Sequence, residues 1–155
     1  MYFLKTIPTT SIDSYISGWE LLNSSNREFI FEDWHTLDYW YSKVQNKTLK
    51  TYKKNPIFKD FGVKEREFIA PTKGIFYSAN KVRALADLIF EALEGSNPNL
   101  YLNRLAGDID NFLDDFEKKE LITLLEPLLI NEELLNFIKK EMPKQYYECI
   151  LKGVI

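Results

Sequence analysis

A chain of 155 residues with 45% hydrophobic and 28% charged side chains can bury about 68–70% of the surface its unfolded form exposes. Its 15% aromatic content excludes a disordered tail, and its single cysteine, Cys149, excludes a disulfide-stapled fold. No apolar run approaches the roughly 20 residues that span a bilayer, and MYFLKTIPTTS lacks a signal-peptide pattern, so one domain, 1–155, in a cytoplasmic setting is expected.

Net charge is −3, unevenly spread. Residues 1–42 carry two basic and six acidic groups, residues 43–83 eleven and three, and residues 84–155 seven and fourteen. Such segregation leaves room for a basic face and an acidic face.

In chain order, YFLKTI up to Pro8 predicts a short strand. Ile12, Tyr15, Ile16, Trp19 and Leu22 then repeat at helical spacing, and NSSN at 23–26 ends that helix. Phe29–Phe31 reads as a strand or a lead-in. Asp33 is placed to cap a helix carrying the stripe Trp34, Leu37, Tyr41 and Val44, which Lys47–Lys54 could extend as far as Asn55-Pro56. Residues 55–74 read as a long loop with a possible strand at Glu67–Ala70. Ile75-Phe76-Tyr77 predicts a strand, and Ser78 a cap for a helix through Val82, Leu85, Ala86, Ile89 and Leu93, ended by Gly95. Helices are expected over Leu100–Ala106 and Ile109–Leu125, with Gly107-Asp108 as the break. Asn131 caps NEELLNFIKKEM, and Pro143 stops it. Tyr146–Ile155 predicts a terminal strand. The fold class expected is α+β, a mainly helical single domain with a small sheet that includes both termini.

The chemistry-bearing residues are sparse. His35, the only histidine, has no serine in a nucleophile-elbow context to serve, and reads as a hydrogen-bonded, partly buried structural residue. Cys149 reads as a small hydrophobe in a strand. One histidine and one cysteine do not make a tetrahedral zinc site, and the run Asp108–Asp115 has Leu113 where a calcium loop needs glycine. No glycine-rich phosphate loop is present. No catalytic residue, metal site or cofactor is therefore expected. Lys43, Lys47, Lys50 and Lys54 would share a helix face and form the one nucleic-acid candidate, but a solvated lysine face is the favoured reading. Trp19, Trp34, Trp40, Tyr39 and Tyr41 crowd the first third, where core packing is the expected role.

Three stretches, MYFLKTIPTTSIDSYI, DWHTLDYW and IFYSANKVRALADLIFEAL, resemble in their order the YfbM-like family of small bacterial proteins. That resemblance implies a compact α+β fold and carries no catalytic residues over.

The function expected is a non-enzymatic protein-binding module, specifically a bacterial immunity protein that neutralises a toxin by direct binding. Its docking surface is placed at Asp110, Asp114, Asp115 and Glu117, the outer side of a helix whose inner side is Ile109, Leu113 and Phe116. Tyr101 or Phe112 would act as nearby anchors. The expected partner is a basic protein such as a nuclease toxin, with nucleic acid disfavoured and no membrane partner. The alternative is a small-ligand-binding protein or enzyme with a cleft near Trp34, His35 and Lys73–Ser78.

Overall fold

Proline, glycine and short polar clusters leave the first half of the chain no long uninterrupted apolar period, and it folds as short strands. The computed structural model describes residues 1–30 and 35–148. Helix outweighs strand, 44% against 19%, an α+β fold in which helix predominates. Within it, contacts cluster into two compact units, Met1–Ala84 and Leu85–Ile155.

In the first unit β1 (Phe3–Leu4) precedes β2 (Ser14–Tyr15), α1 (Gly18–Leu22) and β3 (Ser25–Asn26). Next come α2 (Thr36–Trp40), β4 (Tyr41–Ser42), β5 (Tyr52–Lys53), β6 (Lys64–Ala70) and β7 (Gly74–Ser78). Three antiparallel sheets result, β1–β4, β2–β5 and β3–β6–β7. The helix expected over 12–22 is halved because Gly18 has φ +56°, left-handed backbone that no right-handed helix can run through. A Cβ at Gly18 would also overlap the Tyr52 hydroxyl. The second expected helix is likewise cut to Thr36–Trp40, since Tyr41 turns extended and joins β4. Asp33 and Trp34 lie outside the described residues. Lys47–Lys54 is no helix either: Asn46 adopts φ +64°, and the chain pairs with Thr6 and β2 instead.

A buried cation organises the loop at 55–63. Arg83 is fully buried; one guanidinium nitrogen donates to the Phe61 carbonyl at 2.8 Å, the other to the Tyr15 hydroxyl at 2.7 Å. Its plane also lies over the Tyr15 and Phe58 rings. Asn55 turns the loop by accepting from the Ile57 and Phe58 amides. Trp40, fully buried, donates to the Glu20 carbonyl at 2.8 Å. Trp19 stacks on Tyr39 with both rings half-buried, so among the described early aromatics the expected core packing is met in full only by Trp40.

Helix α3 (Lys81–Glu94) carries the chain onward, and Leu85, Ala86 and Ile89 are fully buried. Its start is fixed by Asn80, whose side chain accepts from the Arg83 amide at 2.8 Å, rather than by Ser78. The second unit continues with α4 (Pro98–Asn103), α5 (Asp108–Phe112), α6 (Asp115–Leu125) and α7 (Glu132–Glu141). Its core holds Leu102, Ile109, Leu121, Ile122, Leu125, Leu134 and Ile138. Asn131 caps α7 through the Leu134 amide, as expected. A 3-10 turn at Lys144–Tyr146, begun by Pro143, replaces the start of the expected terminal strand. Residues 149–155 lie outside the described residues.

Candidate functional site

The expected single helix over 109–125 is two helices, and that changes the acidic surface. Leu113 is extended, which ends α5, and Asp114 begins α6. Ile109 and Leu113 are buried as expected, whereas Phe116 is 70% exposed instead of facing the core. Restarting the helix at Asp115 rotates Phe116 out of the apolar stripe that a continuous helix would have kept.

All four predicted carboxylates are committed locally. Asp114 accepts from the Glu117 amide at 2.8 Å and Glu117 accepts from the Asp114 amide at 3.0 Å, a reciprocal capping box. Asp110 pairs with the Lys118 ammonium at 2.6 Å, and Asp115 accepts from the Tyr146 hydroxyl. The Asp110 bond holds the Lys118 ammonium above its ordinary range, with smaller help from Tyr146 and Asp115. The hydrogen bond to Asp115 likewise raises the Tyr146 hydroxyl. Mutual repulsion among four solvated charges is therefore not what this surface stores. Asp110, Asp114 and Asp115 stay exposed, and Phe116, also exposed, follows Asp115 directly on the first turn of α6. Tyr101, one of the expected anchors, is 37% exposed and lies under the Arg104 guanidinium.

Beside this surface Glu141 accepts from the Gly107 amide at 2.6 Å, tying the start of α5 to the end of α7. Gly107 holds φ +84°, which its missing Cβ permits. Burial, with the Glu141 charge added, pushes the Asp108 carboxyl up to about 6.

The other candidates are placed as follows. Lys43, Lys47, Lys50 and Lys54 do not share a helix face, because no helix forms there. Lys43 lies over the Tyr2 ring and Lys50 over the Tyr52 ring. His35 precedes α2 with its side chain 64% exposed, its Nδ1 3.3 Å from Asp38; the partly buried position expected of it is corrected. Cys149 lies outside the described residues. Among the described residues no group of three or more His, Cys, Asp or Glu is arranged to hold a metal ion, and no helix is long and apolar enough to cross a membrane.

A cleft of about 370 Å³ opens in the first unit over the β6–β7 hairpin, lined in part by Arg27, Glu67, Ile69, Lys73 and Ile75. It includes Lys73–Ile75 of the segment named for a cleft, but His35 does not line it. Glu67 and Ile69 lie in the possible strand at Glu67–Ala70 and Ile75 opens the expected strand Ile75-Phe76-Tyr77, but spacing alone neither pairs the two as a hairpin nor brings Arg27 to them.

Compared with known proteins, the chain matches no family model, no curated protein and no solved structure.

Proposed function

We propose that this chain is a non-enzymatic protein-binding module, and that it docks a basic protein on the acidic surface around Phe116. The carrying observation is Phe116 itself, an aromatic side chain 70% exposed between Asp115 and Glu117 on the first turn of α6. Exposed aromatics of this kind serve as anchors once a partner desolvates them, and surrounding carboxylates select a cationic partner and speed encounter. The capping box fixes the backbone that presents Phe116, so little ordering remains to be done on binding.

The use we assign is that of an immunity protein acting in the bacterial cytoplasm on a nuclease toxin. Any nuclease must offer a basic surface to phosphates, and an acidic surface with an apolar anchor is complementary to it. The YfbM-like resemblance belongs to the same proposal as its statement of ancestry.

The test is affinity capture from the source cells at low salt, followed by a nuclease assay. Wild-type protein is expected to retain a basic protein, release it as salt rises, and suppress its nuclease activity. A Phe116→Ser column that retains the same protein equally well would contradict the proposal. Among the described residues Phe116 has no polar partner to lose, so this variant is a cleaner probe than charge reversal at Asp114, which would break a helix cap.

A further inference from the structure

The β6–β7 ladder pairs Glu67 with Ile75 and Phe68 with Gly74. Strand alternation sends Arg66, Phe68 and Ser78, all buried, to one face. Glu67, Ile69 and Ile75 go to the other, where the cleft lies. Ile75 is 64% exposed, and Ile69 is half-buried two residues along β6 from Glu67, the register partner of Ile75, and so on the same face. Together they give the cleft an apolar floor.

Its charged groups are unevenly committed. Arg27 is tied to Glu67 twice, its Nε to the carboxylate and its backbone amide to the Glu67 carbonyl at 3.1 Å. Because only Nε is used, the two terminal guanidinium nitrogens of Arg27 have no partner among the described residues. Lys73 also lines the cleft, and its ammonium has no partner among the described residues. Two cations and one carboxylate leave an excess of one positive charge over an apolar floor. A volume of about 370 Å³ is at the small end of ligand-sized cavities.

We propose that this cleft is a binding site for a small organic monoanion, a carboxylate with a short apolar body. The carboxylate would meet Lys73 and the free face of Arg27, which can present two parallel N–H donors. The apolar body would lie across Ile69 and Ile75 and remove their surface from water. Glu67 has two consequences: it holds Arg27 in place beforehand, and it repels a second negative charge, which disfavours polyphosphates. The site belongs to the first unit and is independent of the acidic surface at Phe116.

The probe is hexanoate, titrated into the labelled full chain and followed by backbone amide NMR. Saturable shifts are expected at Ile69, Gly74 and Ile75, with a dissociation constant of about 1 mM or tighter. Lys73→Gln and Ile75→Ser, both at exposed positions, should each weaken binding about fivefold or more while leaving the spectrum folded. Hexylammonium and inorganic phosphate should bind at least about tenfold more weakly than hexanoate. Absent or non-saturating shifts, shifts centred elsewhere, or insensitivity to both variants would each overturn the proposal. Equal binding of hexylammonium would show an apolar surface without anion selectivity, and equal binding of phosphate a cation pair without an apolar site; either result also overturns it.

Discussion

The two units solve burial in opposite ways. Among the described residues, the first hides Ser17, Glu20, Asn23, Ser24, Ser25, Asn26, Arg66, Ser78 and Arg83, whereas the second hides only Asp87 and Lys118. In the first unit short strands are tied together by side chains such as Arg83 and Arg66, the latter reaching Glu28 at 2.9 Å and the Ser78 carbonyl. In the second, apolar stripes on α3, α6 and α7 supply the core, and polar side chains work at helix ends. A polar interior is directional and fails when one partner is removed, while an apolar one is graded by the volume lost.

Ile89→Ala tests the apolar side of this contrast. Removing a fully buried branched side chain from α3 should cost about 2–5 kcal/mol in denaturant unfolding. A cost under about 1 kcal/mol would mean the second unit is loosely packed. Arg83→Met keeps the side chain's approximate volume but leaves the Phe61 carbonyl and the Tyr15 hydroxyl without their donor, and should cost about 2–4 kcal/mol. Arg83→Lys should recover less than half of that, since an ammonium cannot reproduce the planar fork. Full rescue by lysine would show that charge, not directed hydrogen bonding, organises the 55–63 loop.

The same contrast explains what could be read in advance. The runs at 82–93 and 132–142 were legible because helix period, cap and terminator agreed there, as at Asn131 and Gly95. Strand 75–77 was also legible from its composition. The periods at 12–22 and 34–44 misled because Gly18 and Tyr41 adopt backbone that local spacing does not encode. NSSN reads in sequence only as the end of a helix, yet all four residues are buried. At the acidic surface the run of carboxylates was legible but not their state. Whether Asp114 is a solvated charge or a helix cap depends on a break at Leu113 that hydrophobic period alone conceals.

Smaller effects sharpen the picture of that surface. Asp114→Ala should cost about 1 kcal/mol by removing the capping oxygen from the Glu117 amide, and Asp114→Asn should recover most of it. The carboxyl of Asp108 is raised to about 6 in the folded chain from an ordinary value of 3.8. Between those values the folded state binds more protons than the unfolded one, so this group's contribution makes stability fall as pH rises through the window. Half-exposure reduces the effect to about 1 kcal/mol or less. Comparing wild type with Asp108→Asn from pH 4 to pH 7 should show the variant gaining relative stability as pH rises; parallel curves would mean that burial and Glu141 do not raise the Asp108 carboxyl.

The most direct test of the binding proposal is the kinetics of the captured partner on immobilised wild-type and Phe116→Ser chains at two salt concentrations. The account predicts that Phe116→Ser folds normally, with stability within about 0.5 kcal/mol of wild type, and dissociates at least about tenfold faster. The association rate should fall with salt for both chains, because the carboxylates steer and the ring anchors. Dissociation that is unchanged by the loss of Phe116, with association indifferent to salt, would contradict it.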